Sequence, residues 1–316
     1  MPDPLPIHTG TLHEKELPEA HRIMRLAFGT FLGLPDPLAF LGDRNFIAPR
    51  FHAMNTRLIA ARLEGRLIGV SAATRWGSFA FLGPVAVLPE FWNRGVAQRL
   101  IRPAIRAFEK WEVRQSGLFT FPASPGHLAL YQKFGFWPRF LTAIMARIPE
   151  PDPALDPPTL LSELPRAQQE AILDNCARLA TRIEKGLDLT VEIRALHAQK
   201  AGDVVLTHTN DVLDGFALCL TGADTEGGSK TCYVKFAAVR PGSGADTRFT
   251  RLLQAIDAFA VRRSLAIEAG VNLACEPAFR ALQAHGFRLE RQGVCMVSPN
   301  APGFCRPDAW VIADLR

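Results

Sequence analysis

Residues 83–101, GPVAVLPEFWNRGVAQRLI, join an apolar run ending at Pro89, a turn holding Asn93, Arg94 and Gly95, and the start of an amphipathic stretch. A strand, a short turn and a helix in that order aim several unpaired backbone N–H groups at one point, where an anion is stabilised. Gly95 lets the backbone approach a bulky phosphate, and Ala97 keeps the next turn free of a large side chain. Arg94 and Arg99 add positive charge nearby. The segment is neither G-x-x-x-x-G-K-[ST] nor G-x-G-x-x-G. The chemistry it supports is the holding of a phosphate-bearing ligand.

Other chemistry-bearing residues read as structural. His127 and His21 have no paired ligand at metal spacing, so polar packing or surface is the expectation for each, and no metal is expected. All six cysteines (Cys176, Cys219, Cys232, Cys275, Cys295, Cys305) lie in the second half, and none forms a C-x-x-C pair. Inside apolar strings such as FALCL and GVCMV they read as buried thiols of a reducing compartment. Trp76, Trp92, Trp111 and Trp137 show no nucleic-acid stacking pattern and are expected in the core or a pocket wall.

The elements that must position the 83–101 segment follow from patterning. A short strand near Ile7 leads to a helix over about 16–28, which Gly29, Gly33, Pro35 and Pro37 should end, with a second helical stretch around 38–47. TRLIAARLEG and RLIGVSAATRW read as a hairpin turning at Glu64-Gly65. SFAFLGPVAVL is apolar on both faces, as a central strand would be, and Gly83-Pro84 inside it suggests a bulge or splaying. A long helix follows with Val96, Leu100, Ile101, Ala104, Ile105 and Phe108 on one face, and Pro103 should kink it unless the helix tolerates the lost bond there. Strand GLFTF, short helix HLALYQKF and a strand pair around FWPRFLTAIMARI complete the half.

Residues 148–165 hold six of the 24 prolines and divide the chain into two domains, 1–150 and 151–316. The second half repeats the order of the first, with two helices, three strands, a long helix, a strand, a short helix and further strands, which implies an internal duplication. The likeness is strongest between YQKFGFWPRF and LQAHGFRLER, each a short helix ended by glycine.

Composition sets the class. The 316 residues are 48% hydrophobic and 21% charged, which suits two globular domains and argues against disorder or a fibrous rod. No run is long enough to span a membrane, and the N-terminal MPDPLPIHTG lacks the features of a secretory signal, so a soluble cytoplasmic protein is expected. Residues 1–150 carry 18 Lys/Arg against 11 Asp/Glu, a net of +7, whereas residues 151–316 carry a net of −2. The basic residues of the first half are nearly all single arginines, which favours discrete anion contacts over a nucleic-acid track.

The succession of strand, V-x-V-L-P, R-G-x-A and helix, then A-L-Y-x-x-x-G-F some thirty residues later, resembles the GCN5-related N-acetyltransferase (GNAT) superfamily. The resemblance covers residues 5–148 and, more loosely, the second half. It implies an α/β (α+β) fold of two tandem GNAT-like domains, each a mixed, mostly antiparallel twisted sheet flanked by helices. The family's pyrophosphate loop, Q/R-x-x-G-x-G/A, falls on Trp92, Asn93, Arg94, Gly95, Val96 and Ala97. Gly95 and Ala97 fit, whereas Trp92 departs from the usual Gln or Arg that positions the loop. Acetyl-CoA is then implied as cosubstrate, with Val85, Ala86 and Val87 pairing with the pantetheine arm and the N–H groups of Arg94 through Gln98 holding the pyrophosphate. A backbone N–H near Val85 would polarise the thioester carbonyl. Tyr131 stands where the family often places the general acid, with core packing as its plainer reading. No general base is assigned: the strand 79–88 holds no carboxylate, Glu90 reads as a solvated or helix-start charge, and His52, Asp36, Asp43, the Arg316 carboxylate and a water relay stay open.

In the second half the loop reads VRPGSGADTRF: Gly242 and Gly244 survive, but Asp246 falls where a small residue is wanted and Leu282 replaces the tyrosine. A carboxylate there repels a pyrophosphate, so this copy reads as degenerate, structural or acceptor-site shaping. The expected function is an acetyl-CoA-dependent N-acetyltransferase with one site per chain and a small-molecule or protein amine acceptor, with no membrane and no nucleic-acid partner. The alternatives are a non-catalytic acyl-CoA sensor or partner-binding module and, further off, an aminoacyl-tRNA-dependent transferase. The acceptor, the acyl length and the oligomeric state are not legible in the sequence.

Overall fold

The computed structural model describes residues 6–153 and 155–316. Residues 1–5, which carry part of the N-terminal segment read above, and Ala154 of the proline-rich connection lie outside the described residues. The first half runs β1 (Ile7–Thr11), α1 (Leu17–Phe31), α2 (Ala48–Phe51), β2 (Thr56–Leu63), β3 (Arg66–Trp76), β4 (Phe79–Val87), α3 (Val96–Lys110), β5 (Gln115–Thr120), α4 (Pro125–Gln132) and β6 (Trp137–Arg147). The second runs β7 (Thr159–Leu160), α5 (Arg166–Ile183), α6 (Thr190–Ala198), β8 (Gly202–Thr209), β9 (Val212–Gly222), β10 (Gly228–Val239), α7 (Ala245–Val261), β11 (Ala266–Asn272), α8 (Glu276–Ala284), β12 (Arg288–Ser298) and β13 (Val311–Ala313). The architecture is a mixed, mostly antiparallel sheet flanked by helices.

Local chemistry explains most boundaries. Glu64 and Gly65 both take positive φ, 51° and 82°, the backbone a two-residue hairpin turn needs, and they join β2 to β3. α3 buries Val96, Leu100, Ile101, Ala104, Ala107 and Phe108 and runs unbroken through Pro103. Three expectations are corrected. α1 continues through Gly29, because that glycine serves close packing instead of termination: a Cβ there would lie 2.3 Å from the Pro37 carbonyl oxygen. The stretch 38–47 is helical only in the 3-10 turn Pro37–Ala39; beyond it the chain forms local turns, and two of its backbone groups are engaged by the second half. Asn45 N–H donates to Thr225 O at 2.9 Å, and Asp43 O accepts from Asp224 N–H at 3.0 Å. Residues 137–147 form one 11-residue strand, not a pair.

All 13 strands among the described residues belong to one sheet, in the order β1-β2-β3-β4-β5-β12-β6-β11-β10-β9-β8-β7, with β13 on β10. The two halves exchange their late strands. β12 pairs antiparallel with β5 over Ser116–Thr120, and β6 pairs antiparallel with β11 over Thr142–Arg147. The exchange carries core side chains with it. Met296 and Val294 of β12 pack among Leu82, Leu118 and Ile101 of the first half, whereas Ala143 and Met145 of β6 join the second-half core. No helix among the described residues is long and apolar enough to cross a membrane.

Candidate functional site

β4 and β5 run parallel and in register from Phe79↔Gln115 to Leu82↔Leu118, and there they part. Beyond Leu82, β4 pairs only with β3, with a register shift between Ser71↔Val85 and Ala73↔Leu82 that places a bulge at Gly83-Pro84. The alternation of a strand then fixes which groups face the gap. Leu88 N–H donates to Ile68 O at 3.0 Å, toward β3, so Ala86 turns its polar groups the same way and Val85 and Val87 turn theirs to the open side. Of the carbonyls on that side, Val87 O accepts the Trp92 indole N–H at 2.7 Å and Gly83 O accepts Arg50 Nη1–H at 2.5 Å. Val85, half-buried between them, finds no hydrogen-bond partner there, which leaves a one-residue strand edge with its N–H and C=O presented to a gap.

The turn into α3 closes one end of this gap. Asn93 and Gly95 take left-handed backbone, φ 60° and 75°, and Gly95 occupies the N-cap with no side chain satisfying the first turn. The N–H groups of Val96, Ala97 and Gln98 therefore have no partner within the described chain, and a Cβ on Gly95 would meet nothing within 4 Å. This is an open cradle of aligned donors at the positive end of a 15-residue helix. Trp92 fills the position that departs from the sequence pattern, and its hydrogen bond to Val87 O ties the loop to the end of β4. Arg94 is exposed and stacks its guanidinium 5.8 Å from the Phe91 ring centroid. Arg99 is turned away, donating to Ile7 O.

Tyr131, on α4, is 8% exposed and packs in the apolar cluster that holds Leu82 and Leu118, its ring edge-on to Phe136. Burial raises its hydroxyl well above the usual tyrosine range. Among the described residues the hydroxyl has no hydrogen-bond partner, and it is not among the fully enclosed unpaired atoms. His127 lies at the start of the same helix between Phe31 and Phe121, at ring distances of 4.8 and 6.0 Å, and burial lowers its pKa. Phe28 and Phe40 stack beside them at 5.5 Å, so the end of α1 and the loop before α4 form one aromatic wall.

The remaining candidates for proton transfer are mostly engaged elsewhere. Glu90 forms an exposed ion pair with Arg66 at 2.8 Å. Asp36 caps the turn at Leu38, and Asp43 accepts the Ser229 N–H at 3.0 Å. His52 is exposed against Phe51. The main-chain oxygen of Arg316 accepts from Arg50 Nη2 at 2.5 Å, and Leu315 O comes within 4.0 Å of a Cβ built on Gly83, so residues 315–316 lie at the parting of β4 and β5.

The second half repeats the arrangement with its gap filled. β10 and β11 run parallel over Thr231↔Ala266 to Val234↔Ala269 and part, and Gly244 caps α7 at φ 74°, the counterpart of Gly95. The gap that opens is filled by β13, which pairs with Phe236, Ala237 and Ala238 of β10. Asp246 stands in the first turn of α7, Arg248 folds back onto Arg240 O and Gly242 O, and Leu282 is fully buried. The sequence showed the altered loop but gave no sign of the filled gap: β13 is three residues long, and its pairing is set by tertiary position alone.

Residues 21–136 match the sequence model described as the Acetyltransferase (GNAT) family. Among solved structures the chain resembles a putative acetyltransferase from Pyrococcus horikoshii, with a TM-score of 0.71 at 13% identity over 97% of this chain and 94% of that one. It also resembles a GCN5-related N-acetyltransferase from Sphaerobacter thermophilus, at TM-score 0.58, 15% identity and coverages of 96% and 98%. A tandem GNAT protein from the clavulanic acid biosynthesis pathway aligns at TM-score 0.56, 14% identity and coverages of 92% and 98%. At these identities the likeness is one of fold. No curated protein matches the chain.

Proposed function

We propose that the chain is a tandem-domain protein of the GCN5-related N-acetyltransferase superfamily and an acetyl-CoA-dependent N-acetyltransferase with one active site, in its first half. The observation that carries this reading is the Val85 edge: one unpaired N–H and C=O just past the point where β4 leaves β5, on the strand that leads to the uncapped start of α3. The free N–H and C=O of Val85 suit the amide-containing arm of a CoA ester, and the unpaired N–H groups after Gly95 suit its pyrophosphate. When bound, acetyl-CoA supplies an electrophilic thioester carbonyl and a thiol leaving group.

The chain's own groups do the rest. The N–H groups of Val96, Ala97 and Gln98, joined by those of Arg94 and Gly95, hold the pyrophosphate, and Arg94 adds charge from the rim. Trp92 keeps the loop in place through Val87. Val85 presents its N–H to the thioester carbonyl oxygen, where charge develops. Tyr131 is the proton donor to the departing sulfur in this reading; burial keeps its hydroxyl protonated, and because a phenol is a weaker acid than a thiol the donation relies on the site's electrostatics. The acceptor amine gains the acetyl group and loses a proton toward solvent. The second half contributes no cofactor site, because β13 occupies the equivalent gap and Asp246 stands at the loop.

The test combines purified protein and acetyl-CoA with a panel of small primary amines, and follows released thiol. An acceptor that yields thiol and acetylated amine, with turnover lowered in Tyr131→Phe at unchanged acetyl-CoA affinity, supports the assignment. Acetyl-CoA binding with no amine acetylated and no effect of Tyr131→Phe would replace it with a non-catalytic acyl-CoA sensor. Equal loss of binding and turnover in the variant would remove the proton-donor role.

A further inference from the structure

A buried ionic chain crosses between the halves and ends on the strand that parts. Arg50, on α2 and 2% exposed, grips Glu226 with Nε at 2.9 Å and Nη2 at 3.0 Å, and its Nη1 donates to Gly83 O. Glu226, 1% exposed, also accepts from Lys235 Nζ at 2.8 Å. Lys235 in turn donates to Glu192 at 2.6 Å, and Glu192 accepts from Asn55 and the Trp76 indole. Two cations and two carboxylates thus balance in the buried interior. Such a cluster is weak evidence for stability, because well-packed apolar groups often do as well. What an apolar replacement would not do is hold the Gly83 carbonyl.

Gly83 needs holding. Its φ of 153° is backbone that side chains seldom adopt, it stands at the bulge, and on the gap side it has no strand to pair with. The next residue, Pro84, has no N–H and a fixed φ, so the first amide past the bulge is that of Val85. The Gly83–Pro84 peptide, with the fixed φ of Pro84 and the pairing of Val85 opposite Ser71, therefore limits where the Val85 N–H can point.

We propose that the Arg50–Glu226 pair is a positioning element for the first-half site: a carboxylate of the second half orients the guanidinium that fixes the Gly83 carbonyl and thereby aims the Val85 N–H. Arg50 and Glu226 are positioning residues, with no direct contact to reacting atoms. The second half then acts on the first-half site through this buried pair, beside the contact of Arg316 O with Arg50 Nη2, as well as through packing. This rests on the reading of the gap as an acyl-CoA site.

Isotope-edited infrared spectroscopy tests it, using acetyl-CoA labelled with carbon-13 at the thioester carbonyl, bound to the full chain. In the wild type the carbonyl band moves to lower frequency on binding, as a carbonyl held by an aimed N–H does. Glu226→Gln is expected to bind acetyl-CoA with unchanged affinity and to lose that downshift. Arg50→Lys, which keeps the charge but not the fork, is the second variant should the first fail to fold, and it too loses the downshift. Lys235→Met disturbs the same cluster and its stability without touching Gly83, so its downshift stays. A downshift that persists in Glu226→Gln and Arg50→Lys overturns the inference, as does one abolished equally by Lys235→Met. Bound acetyl-CoA with no downshift in the wild type overturns it too. Failure of the wild type to bind acetyl-CoA at all removes the underlying site reading instead.

Discussion

Gly95 and Gly244 offer a matched pair of perturbations. Both cap long helices, at φ 75° and 74°, and both follow a strand that has parted from its parallel neighbour. A side chain at either position pays about 1–2 kcal/mol for left-handed backbone. Crowding adds little: a Cβ on Gly95 meets open space, and one on Gly244 meets only the far end of Arg248 at 3.3 Å. Gly95→Glu and Gly244→Glu should therefore lower the melting temperature alike, by roughly 2–4 °C per kcal/mol lost. Their effects on acetyl-CoA should differ. A carboxylate about 5 Å from a phosphate charge costs about 1–3 kcal/mol between the limits of water and a half-buried surface, which is roughly 5- to 150-fold in affinity. Gly95→Glu should show that loss in a calorimetric titration, and Gly244→Glu should bind as the wild type does. Weakened binding in Gly244→Glu, or unchanged binding in Gly95→Glu, would refute the assignment of the site to the first half.

Trp92→Phe removes the 2.7 Å hydrogen bond to Val87 while keeping the ring, and should weaken acetyl-CoA binding by about 0.5–1.5 kcal/mol with little change in thermal stability. A drop in melting temperature with unchanged affinity would make Trp92 a packing residue only. Acid should destabilise the junction between the halves. Burial would raise Glu226 and Glu268, but the arginines and lysine around them outweigh it and hold each carboxyl down to about 2, from an ordinary 4.5. Below about pH 4.5 the unfolded chain binds protons that the native chain does not, so this stabilisation is full above that pH. It is lost progressively toward pH 2, on the order of 3 kcal/mol for each group. Urea midpoints measured across that window should fall, and Glu226→Gln should flatten part of the slope; an unchanged slope would contradict the account.

Much of the frame was legible in the sequence because local signals set it. The Glu64-Gly65 turn, the apolar stripe of α3 and the glycine that opens it all depend on neighbours a few residues away. The bulge at Gly83-Pro84 was legible because proline cannot serve a central ladder. What was hidden depends on distant partners. β6 and β12 are similar 11-residue strands, and nothing in their composition says that each completes the other half's sheet. Gly29 looked like a terminator because its purpose, room for Pro37, appears only in three dimensions. Arg50 looked like one arginine among many, and its partner lies 176 residues away.

The stoichiometry of acetyl-CoA binding to the unmodified chain tests the central claim most directly. The account predicts one site per chain by calorimetric titration, since the Val85 edge is open and its counterpart on β10 is covered by β13. Two sites would mean that β13 gives way and that both halves bind cofactor. No binding would leave the fold in place and contradict the acetyltransferase reading.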